Sequence, residues 1–119
     1  MTSLYDRLGQ GVGIRRLVED IMDGHLANPL IRSRFEGIAD LSRAKKLAWE
    51  FLCVGAGGPE TYTGRAMLEA HRHMNVSEQE FLAATDDILA ALDKNGVGED
   101  SRKDVLAILY SLKGDIIRV

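Results

Sequence analysis

Apolar residues recur along most of the chain at three-to-four spacing, and sustained alternation is missing. The pattern therefore predicts helices and no sheet. Ser3 is placed to cap a short first helix, Leu4 to Leu8, which Gly9, Gly11 and Gly13 break. A second helix is predicted from Ile14 to Ala27, with Leu17, Val18, Ile21, Met22 and Leu26 on one stripe. Asn28-Pro29 ends it, because the residue before a proline is pushed out of the helical region. A compact turn, Leu30 to Glu36, carries Phe35. The third helix starts near Asp40 or Ser42. Leu47, Phe51 and Val54 form its stripe, and Gly55, Gly57, Gly58 and Pro59 end it.

The stretch from Gly57 to Gly64 is too rich in glycine to be helical, and a short helix follows it, Arg65 to about Arg72. Ser77 with Glu80 reads as a capping box. The helix it opens runs to Lys94 and stops at Asn95-Gly96, with Phe81, Ile88, Leu89 and Leu92 facing inward. Ser101 with Asp104 is a weaker start signal for a last helix, whose stripe is Val105, Ile108, Leu109, Leu112 and Ile116. The predicted architecture is all-α: two long helices early, two late, and a looped middle with one short helix. Long helices normally join through short turns. A middle this irregular usually owes its order to something packed against it, and a cofactor is one candidate.

Length changes this picture little: 119 residues fit one domain that can bury a real core. The net charge of −3 argues against a nucleic-acid partner, since nothing would neutralise a row of phosphates. Arg15-Arg16 and Lys45-Lys46 read as solvated helix faces. The single cysteine, Cys53, has no internal disulfide partner and lies among Phe51, Leu52 and Val54, so a buried, inert thiol is expected. The chain opens without the apolar stretch of a signal peptide, and no apolar run approaches the ~20 residues of a membrane span. A cytoplasmic protein without a membrane partner is the expectation.

The chemistry-bearing residues are few. Of the three histidines, His25 falls near the polar side of the second helix and is expected to be solvated. His71 and His73 are two apart and cannot share a helix face. With Cys53 they give no zinc spacing. From pattern alone His71 reads as a core histidine behind Met67, Leu68 and Ala70, and Met67 and Phe81 read as core.

Several segments in order change that balance. They are Ser3-Leu4-Tyr5-Asp6-Arg7-Leu8-Gly9, then Phe35, then Gly57-Gly58-Pro59 through Tyr62-Thr63-Gly64-Arg65. Met67, Ala70 and His71 follow, with Val76 and Phe81 beyond them. Together they make the whole chain resemble the truncated haemoglobins, group 1 in particular. The resemblance implies a globin-like two-over-two helical sandwich over residues 1–119 as a single truncated-globin domain, built around haem. It implies His71 as the iron ligand, in preference to His73. It implies Phe35, Leu47, Phe51, Met67, Val76 and Phe81 around the macrocycle, with Tyr62 and Arg65 near the propionates. Haem contacts would then order the irregular middle.

On the distal side the chain departs from the family. Group 1 members commonly place a tyrosine on the second helix and a polar residue on the third. The matching positions here are Met22 on the second helix and Ala44, Leu47 and Ala48 on the third, and none of these side chains donates a hydrogen bond. Shifting the register by one residue would put Lys46 in the place given to Leu47, where it could bind iron. The resemblance implies reversible binding of a diatomic gas, as in oxygen transport, with an electron-donating reductase as partner. The alternatives are a haem enzyme of nitric oxide detoxification (dioxygenase type), a peroxidase-like protein, a gas sensor, or a haem-free helical module.

Overall fold

The structure is a computed structural model that describes residues 2–119. Its opening follows the cap expected at Ser3, whose hydroxyl accepts from the Asp6 amide at 3.1 Å to start α1, Leu4–Arg7. Gly9 then turns the chain in the left-handed region, at φ +91°, and α2 spans Gln10–Ala27. The helix thus starts at Gln10 rather than Ile14, with Gly11 and Gly13 inside it. Their role is close packing: a Cβ on Gly13 would sit 2.3 Å from the Leu8 carbonyl oxygen.

The turn before α4 contains a short helix, α3, Ser33–Glu36, which carries Phe35. Asp40 caps α4, Leu41–Gly55, by accepting from the Arg43 amide at 3.0 Å. Its inner face differs from the predicted stripe in one place: Val54 is exposed, and Cys53 is fully buried in its stead. Burial pushes the Cys53 thiol up to about 11, which removes the reactive thiolate.

After the irregular stretch come α5, Met67–His71, and α6, Glu78–Lys94. The Ser77–Glu80 capping box forms with both of its hydrogen bonds, and Gly96 ends the helix region at φ +73°. α7, Glu99–Ser111, starts from Gly98 rather than from Ser101. Ser101 and Asp104 instead hold Arg7, whose guanidinium donates to both at 2.9 Å and so ties α1 to α7. Leu112 separates α7 from α8, Lys113–Ile116. Among the described residues there is no sheet. A lone parallel bridge joins Val76 to Ile117.

The helices form two layers. α2 packs on both α4 and α6, and α6 packs on α7, while α5 rests on α8. Ile14 and Leu17 from α2, Cys53 from α4 and Leu92 from α6 are the largest fully buried side chains and mark the centre of the core.

The stretch between α4 and α5 is irregular, as expected, yet protein groups hold its first half. The Thr63 amide and hydroxyl both donate to Oε1 of buried Glu50 at 2.8 Å. Tyr5 donates to Glu60 at 2.9 Å and accepts from the Gly11 amide at 3.0 Å, and the Trp49 indole donates to the Gly11 carbonyl at 2.8 Å. Glu60 and Thr63 are thus tied by protein groups to α1 and α4.

Two outcomes follow for stability. Gly13→Ala should lose about 1–3 kcal/mol in urea unfolding, because its new methyl overlaps backbone rather than a movable side chain. Glu50 is held below the usual carboxylate range, chiefly by the Thr63 amide. A depressed carboxylate stabilises fully above its unfolded-state pKa, and the contribution fades as pH falls through the folded-state value. Glu50→Gln should therefore be less stable than the native chain at neutral pH, with the gap in urea midpoints narrowing as pH falls below about 4.

Candidate functional site

Beside this core lies an apolar cavity of about 260 Å³. Ile31, Phe35 and Ile38 from the α3 region line one wall, and Phe81, Ala84 and Ile88 from α6 line another. The rest comes from His71, Met74 and Val76 on and after α5, with Leu109 and Ile116 from α7 and α8. The α6 residues recur at three-to-four spacing, so one face of that helix supplies a continuous apolar wall.

His71 is the last residue of α5 and one of the few polar groups on the cavity. Its Nδ1 lies 2.8 Å from the Met67 carbonyl oxygen, one helical turn back. A carbonyl can only accept, so Nδ1 carries the hydrogen, and in the neutral ring the lone pair is on Nε2.

Four of the residues singled out from the sequence therefore share one cavity: Phe35, His71, Val76 and Phe81. The others stand elsewhere. Met67 opens α5 and supplies the carbonyl that fixes the His71 ring. Phe51 and Tyr62 meet edge to face with centroids 5.5 Å apart, a separate aromatic pair across α4 and the loop. Tyr62 donates to the Arg65 carbonyl at 2.6 Å, and the Arg65 side chain is exposed. Gly64 leaves room for that fold-back, since a Cβ there would overlap the Tyr62 ring.

Met22 is buried on α2, outside the main apolar cluster. Ala44 and Leu47 are half-buried on α4, and Ala48 packs against the main cluster. Lys46 is exposed, and lines an outer cleft between α2 and α4 with Arg15 and Trp49.

The structure corrects one reading and adds residues. His25 is buried rather than solvated: its Nδ1 pairs with Asp87 Oδ2 at 2.9 Å, and its ring stacks on Phe35 at 4.7 Å. Asn28 also donates to Asp87, at 3.2 Å. The signal was present in the spacing, because His25 continues the series Val18, Ile21, Met22 along the apolar face of α2. His25 thus backs the phenylalanine that forms a cavity wall.

Arg34 and Glu80, on the cavity edge, were also missed. Arg34 donates to both carboxylate oxygens of Glu80 and, through Nη1, to the Met74 carbonyl at 2.9 Å. The Arg34 guanidinium holds the Glu80 carboxyl down to about 2. Nothing in the sequence joins these residues, which are 46 positions apart.

The donor set fits haem. A planar apolar macrocycle wants apolar and aromatic walls, and its iron wants a neutral imidazole whose other nitrogen is committed to an acceptor. The cavity has the walls, and His71 has the committed Nδ1.

Comparison with known proteins gives the family and the fold. The sequence profile of the bacterial-like globin family matches residues 3–118. The group 1 truncated hemoglobin GlbN of Synechocystis sp. is 32% identical, over 91% of this chain and 90% of its own length. The group 1 truncated hemoglobin of Tetrahymena pyriformis is 25% identical, over 97% of this chain and 94% of its own. A crystal structure of truncated hemoglobin from Tetrahymena pyriformis, in the Fe(III) form, superposes at a TM-score of 0.94 over 99% of this chain and 100% of that one, at 24% identity. Hemoglobin from Chloroflexus aurantiacus superposes at 0.84, at 27% identity, over 99% of this chain and 100% of that one. The chain belongs to the bacterial-like globins, as a truncated haemoglobin of group 1, and its cofactor is haem.

Proposed function

We propose that this chain, acting as one globin domain, binds a diatomic gas reversibly at haem iron held by His71. The observation that carries the reading is the imidazole of His71 at an apolar cavity, with Nδ1 committed to the Met67 carbonyl. When bound, haem supplies an iron centre with a coordination position for oxygen, nitric oxide or carbon monoxide. The chain supplies the rest. His71 ligates and its hydrogen bond keeps the ring in one orientation. Phe35, Val76 and Phe81 pack on the macrocycle, with Leu47, Phe51 and Met67 completing the apolar surround. Tyr62 and Arg65 would be the residues nearest the propionates.

Met22, Ala44, Leu47 and Ala48 form the distal lining. They exclude water and offer no hydrogen-bond donor, so a ligand that gains little from a donor is favoured over one that gains much. The exposure of Lys46 beside Arg15 and Trp49 supports keeping it off the iron. A reductase would keep the iron ferrous. Acid–base chemistry of a peroxidase kind is less well supported. Glu80, the carboxylate on the cavity edge, is held ionised by Arg34 down to about pH 2 and is a poor proton donor.

Absorption spectra of the ferric, ferrous and carbon monoxide forms test the assignment. His71→Ala should lose the axial bond and release haem readily, whereas His73→Ala should leave the spectra close to native. The reverse pattern would transfer the ligand role to His73.

The distal lining is tested by Met22→Tyr. If the added hydroxyl gains roughly 1.4 kcal/mol with oxygen, oxygen dissociation slows about tenfold. Carbon monoxide dissociation should change less. Equal effects on both gases, or none on oxygen, would mean that Met22 does not face the ligand.

A further inference from the structure

His71 opens a turn that neighbouring elements help to hold in place. Helix α5 ends at it, and the chain then passes through His73 at φ +71° and Asn75 at φ +51°, both left-handed without being glycine. Asn and His adopt this region more readily than most residues with a Cβ, and contacts from neighbouring elements hold the turn there. Contacts reach this segment from two directions. From one side, the Arg118 amide donates to the Val76 carbonyl at 2.9 Å, and the His73 amide donates to the Val119 carbonyl at 3.2 Å.

From the other side comes Arg34. The Met74 amide donates back to the His71 carbonyl at 3.1 Å, closing the turn that ends α5. The carbonyl of the same Met74 accepts from Arg34 Nη1 at 2.9 Å. The remaining guanidinium nitrogens are fixed on Glu80, and Glu80 accepts from the Ser77 amide at 3.1 Å as part of the α6 cap. One unbroken chain of hydrogen bonds therefore runs from His71 through Met74, Arg34 and Glu80 to the first turn of α6. Arg34 itself stands on α3 beside Phe35, on the opposite wall of the cavity.

We propose that Arg34 is a positioning residue for the proximal histidine. By bridging the Met74 carbonyl and Glu80 across the cavity edge, it fixes the turn that ends at His71 and closes that edge against loss of haem. The planar guanidinium suits the task, since it presents two donors to a carboxylate while a third meets a carbonyl. Lysine carries the charge but cannot make both contacts with that geometry. The inference rests on His71 being the iron ligand.

The experiment uses the full chain loaded with haem and compares Arg34→Met, Arg34→Lys and Glu80→Gln with the native protein. His71→Ala and Arg7→Ala serve as controls. Arg7 ties α1 to α7 away from the cavity, so its loss reports general destabilisation. Two readouts are taken: the iron–histidine stretching band of the ferrous form, and the rate of haem transfer to excess apomyoglobin. Urea midpoints of the haem-free proteins are measured alongside.

Arg34→Met should shift or broaden the iron–histidine band and speed haem loss about tenfold. Glu80→Gln should do the same to a smaller degree. Arg34→Lys, which keeps a cation opposite Glu80, should preserve the urea midpoint yet still alter the band, so the proposal stands or falls even if Arg34→Met does not fold. Arg7→Ala should leave the band unchanged. The proposal is overturned if Arg34→Lys keeps the native band and the native rate of haem loss, or if Arg7→Ala alters the band as much as the Arg34 variants. If His71→Ala keeps the iron–histidine band, the assignment of His71 itself fails, and the inference falls with it.

Discussion

The apolar face of α2 is shared between α4 on one flank and α6 on the other, and neither layer closes without it. Ile14 and Leu17 are fully buried there, with Val18, Ile21, Met22 and His25 close behind. Gly13 lets the start of the helix press against the Leu8 carbonyl, which brings α1 and its partner α7 onto the same scaffold. Each buried aliphatic side chain in such a seam contributes about 1.5–3 kcal/mol. The seam is therefore rigid enough to hold an open cavity beside it, which a loosely packed helical chain would fill by collapse.

Two kinds of polar device then build the site on that scaffold. Paired side chains stiffen its walls: buried His25 with half-buried Asp87 behind Phe35, and half-buried Arg34 with Glu80 at the edge. Backbone hydrogen bonds shape its floor, through the Met67 carbonyl on His71 and the bridge between Val76 and Ile117. The cavity surface remains apolar because these groups satisfy one another.

How much of this is legible in the sequence depends on how local the cause is. Caps and breakers act within a few residues, so Ser3, Asp40 and the Ser77–Glu80 box mark their helices correctly. The start of α2 is not legible, because Gly11 and Gly13 serve close packing, which looks the same in a sequence as flexibility. Ser101 and Asp104 look like a helix start and instead receive Arg7, 94 and 97 residues away. His71 is indistinguishable from a core histidine by pattern and stands out only through likeness to a family. Arg34 has no local signature at all, since its partners Met74 and Glu80 lie far along the chain. Lys46 illustrates register: a shift of one residue on a helix turns a side chain by about 100°, which separates exposed Lys46 from half-buried Leu47.

The single tryptophan carries a consequence for optical work on this protein. Trp49 donates to the Gly11 carbonyl and lies under the Arg15 guanidinium at 5.0 Å, so its surroundings are made by α2 and α4. Its emission colour reports whether those two helices are docked. Followed in the haem-free chain beside the loss of helix content, that colour is a local thermometer, and the coincidence or divergence of the two curves reveals whether this small globin melts as one cooperative unit.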